Sequence, residues 1–272
     1  MAKESMPQEK IRSQIQRSKV LQRREIAPGL IVLKFHNPFV AAHTAPGQFV
    51  NVLPKIDFSD PLLRRPFSVY HTDGETAEII IQDHGRGTGI LAGTQAGEYL
   101  DVLGPLGNPW KYEDKYSTPI LLIGGVGVAS MPLLSEQLIK DGKTIVTYYG
   151  ARNSSLFADE YLRNIEYSTD DGSKGFHGTV IENLRSDLKS GKYSAPKIFV
   201  CGPTGMMRAA ISLANECKIK CEVSLETEMA CGIGICQGCP IETSALEAEA
   251  TGRKFHLVCT HGPSFEKEQI VL

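Results

Sequence analysis

Residues 119–134 read Pro-Ile-Leu-Leu-Ile-Gly-Gly-Val-Gly-Val-Ala-Ser-Met-Pro-Leu-Leu. The apolar run Ile120–Ile123 predicts a buried strand that enters Gly124-Gly125-Val126-Gly127. Beyond it, Met131–Lys140 has helical spacing, with Pro132 near its start and Asp141-Gly142 after its end. Thr144–Tyr149 reads as the next strand. Lys197–Val200 runs into Cys201-Gly202-Pro203, and Met206–Cys217 is again helical. Strands alternating with helices require crossovers and a parallel sheet, so residues 115–222 are expected to form an α/β nucleotide-binding domain. At 16 residues without a charge, the stretch from Pro119 to Leu134 is shorter than the roughly 20 apolar residues of a membrane span. Its glycines point instead to a phosphate loop, where backbone amides approach a pyrophosphate. Gly124, Gly125 and Gly127 are therefore candidate dinucleotide contacts. The fingerprint is incomplete, because Ser130 stands at the third glycine and Gly150-Ala151-Arg152 replaces the acid expected after the second strand. Arg152 could meet a 2′-phosphate or simply be solvated, and the choice between NAD and NADP stays open.

Upstream, the pattern changes to short β-rich runs separated by Gly, Pro and Asp turns. These are Val20–Ile26, Leu30–Phe35 after the turn pair Pro28-Gly29, Phe49–Leu53, Pro66–Tyr70, Ala77–Gln82 and Tyr99–Leu103. Such a series predicts an antiparallel β-barrel over residues 20–114. Residues 1–19 are read as an arm or short helix that the barrel does not need.

Four of the seven cysteines lie in one segment, spaced Cys231-x4-Cys236-x2-Cys239-x19-Cys259. An odd total cannot pair completely, and clustered cysteines in a chain without a secretory signal point to metal. The C-x4-C-x2-C…C spacing is that of plant-type two-iron clusters. Gly232, Gly234 and Gly238 let the backbone wrap the sulfurs and aim amides at them. A structural zinc site is the rival, but it usually takes two C-x2-C pairs and only Cys236 with Cys239 forms one. Residues 223–272 are thus expected to be a small 2Fe-2S domain with these four ligands.

A nicotinamide exchanges two electrons as hydride, whereas an iron–sulfur cluster passes one at a time. A chain holding both needs a converter, and a flavin in the barrel would serve.

Arg65-Pro66-Phe67-Ser68 resembles the R-x-[YF]-[ST] flavin motif of the ferredoxin–NADP reductase superfamily. Pro46-Gly47-Gln48-Phe49, Gly85-Arg86-Gly87-Thr88, Gly104-Pro105-Leu106-Gly107 and Cys201-Gly202-Pro203 follow in that superfamily's order. The run Ser224-Leu225-Glu226…Met229-Ala230-Cys231-Gly232, ending at Cys259 and Gly262-Pro263, narrows the likeness. It resembles the electron-transfer subunits of B-type, NAD-dependent dihydroorotate dehydrogenases. The resemblance spans about residues 20–265. It implies an FAD-binding barrel, an NAD-binding α/β domain and a 2Fe-2S domain. It also implies an FMN-containing catalytic partner that oxidises dihydroorotate, in a heterotetramer of two of each chain.

By position, Arg65 would meet the FAD pyrophosphate and Ser68 would bond near the ring, with Pro66 and Phe67 between them. Ile80, Ile81 and Gln82 would line the flavin, and Gly87 and Thr88 would bond its phosphates. Cys201, just past a strand end, could sit beside the nicotinamide or be a buried structural thiol, and Gly202 is taken with it as an NAD contact. No acid or base for the organic substrate is expected in this chain. Three departures stand out. Gln82 occupies a position where a basic residue is expected, the 19-residue gap suggests an insertion around Glu242–Gly252, and His261 replaces an acid. Glu226 could face the flavin but is expected to be an exposed carboxylate, Trp110 a packing residue, and no histidine is given a role. Sister reductase subunits of sulfide, hydrogenase or bifurcating complexes are an alternative, and a zinc-binding interaction module is an alternative of another class.

Composition agrees with an intracellular, cytoplasmic assignment. Of 272 residues, 29 are basic and 31 acidic, for a formal charge of −2, with 42% apolar. That balance excludes a general nucleic-acid binder. Met1–Lys19 has no apolar core and so is not a secretory signal, and no membrane attachment is expected.

Overall fold

The computed structural model describes residues 13–55 and 60–272. Six strands close an antiparallel barrel in the order β1-β2-β5-β4-β3-β6. They are β1 (Gln14–Ala27), β2 (Leu30–His36), β3 (Phe49–Leu53), β4 (Arg65–Asp73), β5 (Thr76–Gln82) and β6 (Tyr99–Leu106). Alternation decides which side chains fill it. Val50 and Val52, Ile79 and Ile81, and Leu100 and Val102 point inward, fully or almost fully buried. Short helices α1 (Pro38–His43) and α2 (Arg86–Ala92) bridge strands at the rim.

Strand β1 corrects the sequence reading. Its first half, Gln14–Lys19, was expected to lie outside the barrel, yet it pairs with Gly104–Tyr99 of β6, while its second half pairs with β2. The barrel therefore cannot close without residues 14–19. Its only apolar residue, Ile15, is exposed, so no run of alternating apolar residues marks it. Residues 1–12 lie outside the described residues.

The second sheet has seven strands in the order β10-β9-β8-β7-β11-β12-β15. Strand β7 (Thr118–Gly124) is central and its Ile120–Ile123 are fully buried, as a strand covered on both faces requires. It is followed by a 3-10 turn (Gly125–Ser130), α3 (Pro132–Lys140), β8 (Val146–Ala151), β9 (Ile165–Thr169), β10 (Phe176–His177) and α4 (Val180–Lys189). The sheet is completed by β11 (Pro196–Cys201), α5 (Thr204–Glu216) and β12 (Lys220–Ser224). The strand order reverses between β7 and β11, so their carboxyl ends open the crevice in which such sheets bind ligands.

The C-terminal segment holds a two-stranded sheet of β13 (Pro240–Glu242) and β14 (Phe255–Leu257). Helices α6 (Ala245–Thr251) and α7 (Val258–His261) belong to it, and β15 (Ser264–Glu266) ends it. This segment is not free-standing. β15 pairs antiparallel with β12, so the cysteine region is fastened to the edge of the nucleotide sheet. The stretch Glu242–Gly252, where an insertion is expected, holds α6, capped by the Ser244 hydroxyl, which accepts from Glu247 N, and closed by Gly252 in a left-handed conformation.

Trp110 joins the two sheets as packing. It is 2% exposed, its indole N–H donates to Ser130 O, and its ring meets Phe199 edge-on. Buried Lys197 bonds to Asp114 and to fully buried Glu222, tying residues 111–114 to β11 and β12.

Candidate functional site

The barrel, the crevice and the cysteine segment meet around one cavity of about 550 Å³, within the range of small-molecule and cofactor sites. Arg65, Pro66, Phe67 and Ser68 form the barrel wall, with Ile80, Gln82 and Thr88 beside them. Val126, Ala129 and Cys201 supply the crevice wall, and Ser224–Met229 with Pro263 supply the third.

Arg65 is well placed for an anion. Its Nη1 donates only to the carbonyls of Leu63 and Arg64, and no carboxylate pairs with it among the described residues. Gly87 packs beneath the guanidinium, where a Cβ would lie 2.8 Å from Arg65 Nε. The Ser68 hydroxyl lines the cavity with no hydrogen-bond partner among the described residues. The Thr88 hydroxyl is already engaged, since it accepts from His84 N at 2.9 Å and Gly85 N at 3.1 Å. It shapes the turn, which leaves the Thr88 backbone for a ligand. Ile81 is the one proposed flavin residue that turns away, because strand alternation sends it into the barrel core while Ile80 and Gln82 face the cavity.

The glycines of the crevice have a packing reason. A Cβ on Gly127 would lie 2.4 Å from Cys201 O, and one on Gly124 would lie 2.6 Å from Met206 Sδ. A Cβ on Gly202 would come within 2.9 Å of Gly124 O. The β7 and β11 turns thus meet backbone to backbone. Gly125, with φ +51°, needs its conformation rather than the space. Cys201 is 3% exposed. Burial pushes its thiol up to about 12, against hydrogen bonds from Ser130 and Ser224, so it faces the cavity as a neutral thiol.

His84, given no role by the sequence, lines the cavity, and Glu226 takes the flavin-facing place that was weighed against an exposed one. Glu226 is accessible, as expected, but it faces the cavity, where surrounding protein desolvates it and holds its carboxyl above the usual range while His84 opposes. The position of His84, one residue before the Gly85 turn, is the signal that could have found it.

The cysteines fit a cluster. Cys231 Sγ accepts from Ile233 N at 3.5 Å and Cys236 N at 3.4 Å, and Cys236 Sγ accepts from Gly238 N at 3.4 Å. Partial burial pushes the Cys231 thiol up, but those amides outweigh it and bring it down to about 7, as thiolate ligation needs. Burial, and then the neighbouring Cys239 thiol, push Cys259 up to about 12. Cys236 thus acts on Cys231 and Cys239 on Cys259, and Cys231 acts on Cys259 as well, so all four thiols are neighbours. Among the described residues no three Cys, His, Asp or Glu side chains are gathered as a single ion requires. Gly232 and Gly234, at φ +72° and +84°, make the wrapping possible.

Comparison with known proteins decides the family. Residues 226–271 match the iron-sulfur cluster binding domain of dihydroorotate dehydrogenase B. The electron transfer subunit of dihydroorotate dehydrogenase B (NAD(+)) from Enterococcus faecalis V583 is 34% identical over 261 residues, covering 93% of this chain and 97% of that protein. Its counterpart from Desulforamulus reducens is 32% identical with the same coverage. The chain belongs to the dihydroorotate dehydrogenase B electron transfer subunit family. Among solved structures, an NADH-dependent reduced ferredoxin–NADP oxidoreductase studied for flavin-based electron bifurcation superposes with a TM-score of 0.82. It is 27% identical and covers 93% of this chain and 89% of that one. A ferredoxin–NADP⁺ reductase from Neisseria gonorrhoeae, with bound FAD and NADP, shares the fold at a TM-score of 0.61 and 15% identity, covering 74% of this chain and 91% of that one.

Within the family frame, the unexpected His261 has a structural task. Its Nδ1 accepts from Leu257 N at 2.8 Å, which puts the ring proton on Nε2, so Nε2 does not accept from the adjacent Arg253 guanidinium. Burial, then Arg253 and His256, lower its pKa and keep that acceptor available. The bond from Leu257 N to His261 braces the turn carrying Cys259, with Arg253, just after α6, beside the ring. No described helix is long and apolar enough to cross a membrane.

Proposed function

We infer that this chain carries electrons from an FMN-containing dihydroorotate dehydrogenase subunit to NAD⁺ through a 2Fe-2S cluster and FAD, in pyrimidine biosynthesis. The net reaction of the complex is dihydroorotate plus NAD⁺ giving orotate, NADH and a proton. FAD supplies the exchange between single electrons and hydride. The observation that carries this reading is the shared cavity, in which flavin-motif residues, the dinucleotide crevice and the run into the cysteine loop are three walls of one space.

This chain's residues bind and align. Arg65 offers an unpaired cation to the flavin pyrophosphate, and Ser68 a free hydroxyl to the ring. Gly124, Gly125, Gly127 and Gly202 bring the crevice backbone close to NAD, and neutral Cys201 packs where nicotinamide and flavin meet. Cys231, Cys236, Cys239 and Cys259 hold the cluster. Phe49 lines the cavity and also packs in the core that contains Cys239 and Cys259, so protein fills the space between the centres. Exposed Ile233, Ile235 and Leu246 lie on the cysteine segment and are the proposed contact for the partner, in a heterotetramer of two of each chain. Seven unpaired cysteines suit a reducing cytoplasm.

The test is dihydroorotate-dependent NAD⁺ reduction by the purified complex. NADH formation that disappears when this chain is removed supports the reading. A C236S/C239S double variant is expected to lose that transfer while keeping FAD, and unchanged transfer would refute the relay. The likeness to the bifurcating enzyme favours a second reading, a bifurcating reductase subunit. A brown complex that oxidises NADH but ignores dihydroorotate would select it.

A further inference from the structure

Asn51 sits on β3, its backbone paired with Pro66 on one side and Leu103 on the other. Its neighbours Val50 and Val52 fill the barrel core, so strand alternation sends the Asn51 side chain outward, on the same side as Phe49 and toward the cysteine segment. It is 0% exposed, yet neither Oδ1 nor Nδ2 has a hydrogen-bond partner. Its Nδ2 lies 2.4 Å from where a Cβ on Gly232 would stand, and the same point is 3.3 Å from a methyl of Leu106. The amide therefore presses against the residue that follows Cys231, in the loop whose N–H groups already donate to Cys231 and Cys236.

A buried amide without partners costs about 1–3 kcal/mol, and a leucine would fill the same space without that penalty. Retention of the amide at this point implies a partner present in the loaded protein. The cysteine loop faces it with a glycine and the barrel with an apolar side chain, so the sulfurs that this loop holds are the acceptors available to it.

We propose that the Asn51 side-chain amide donates a hydrogen bond to the sulfurs of the iron–sulfur centre on its barrel side and raises its reduction potential. This inference rests on the cluster reading above. Reduction adds one negative charge to the centre, so a donor stabilises the reduced form more than the oxidised form. Asn51 is a positioning and tuning residue for this centre, on the side that faces the barrel.

The experiment is an EPR-monitored redox titration of the native complex and of Asn51→Leu. The expected result is about a tenfold shift of the reduced-to-oxidised ratio toward oxidised, a midpoint lower by about 59 mV for one electron, with iron and FAD content unchanged. A variant with full cluster and an unchanged midpoint overturns the proposal. If Asn51→Leu does not accumulate as folded protein, pulsed EPR on the wild-type complex labelled with ¹⁵N only in asparagine side-chain amides decides. A coupled ¹⁵N supports the bond and its absence refutes it. A wild-type complex that assembles no cluster at all would overturn the cluster reading instead.

Discussion

Replacing Gly127 with alanine places a methyl group 2.4 Å from Cys201 O, 2.5 Å from Cys201 C and 2.7 Å from Gly202 N. All three are backbone atoms at the end of a central strand, so no side chain can swing aside. Ordinary contact begins near 3.4 Å, which requires the β7 and β11 turns to part by about 1 Å. Overpacking of this kind costs about 1–3 kcal/mol, or roughly 2–12 °C of apparent Tm at this chain length. The same movement displaces Cys201 and Val126, which wall the cavity. A misplacement of about 1 Å at a reacting geometry can cost about 100-fold. The assay is stopped-flow bleaching of the flavin by NADH, with thermal unfolding measured on the same sample. FAD and iron content should stay at wild-type levels, because neither the Arg65 wall nor the cysteine loop moves. Gly205→Ala is the control: it lies in α5 with nothing within 4 Å of its Cβ position, so it should be neutral or slightly stabilising. A Gly127→Ala protein with wild-type Tm and wild-type flavin reduction would refute the backbone contact as the reason for the glycine and as a determinant of the site.

Arg65→Ala should weaken FAD binding by about 10- to 150-fold, the equivalent of a charge-assisted hydrogen bond of about 1.5–3 kcal/mol, while iron content stays constant; fluorescence titration of the deflavinated protein checks it, and unchanged affinity removes Arg65 from the site. In the cluster-loaded protein at pH 8, iodoacetamide should modify half-buried Cys217 first and spare Cys201 and Cys221. Burial raises both of those thiols to about 12, so the reactive thiolate is scarce below that pH and grows only as pH rises toward it. Early labelling of Cys201, read by peptide mass, would contradict its neutral state. Ile235, 78% exposed, should matter for assembly alone: Ile235→Arg is expected to weaken association with the catalytic subunit by about 30-fold, the equivalent of a hot-spot loss of about 2 kcal/mol, with both cofactors retained. Wild-type affinity in analytical ultracentrifugation would move the interface elsewhere.

What could be read from the chain depended on how locally each feature is encoded. Ile120–Ile123 announces a central strand because burial on both faces leaves no polar position, and the cysteine spacing declares its chemistry within nine residues of loop. Gln14–Lys19 is the opposite case. Its strand exists because β6 offers a partner edge, and a polar stretch pairing at a barrel seam leaves no periodic signal. Helix α4 was also missed, although Thr179 and Glu182 form a capping box with reciprocal bonds. Ile81 was assigned to the flavin by motif position alone; the period of two that puts Ile80 on the cavity places Ile81 in the barrel core. Glu226 shows the remaining limit, because an accessible carboxylate on the wall of a cavity and one on an open surface have the same sequence.

The attachment of β15 to β12 bears on how the two kinds of electron transfer are kept apart. If the cysteine segment were a tethered domain, its distance from the flavin wall would vary with the tether. Here Leu225 N bonds Pro263 O at 2.9 Å and Asn108 N bonds Gly262 O at 2.7 Å, so both the sheet and the end of the barrel hold the turn after Cys259. The Asn108 side chain adds bonds to the carbonyls of Thr260 and His261. The cavity is thereby given two fixed sides. On the proposed reading, the crevice side, with Cys201 and the glycine turns, would admit a nicotinamide and serve hydride. The opposite side, with Phe49 and Pro263, is packed against the cysteine region, and on the same reading would carry the single electrons. A hydride must be delivered by contact, whereas single electrons cross filled protein, and the two walls meet those two demands.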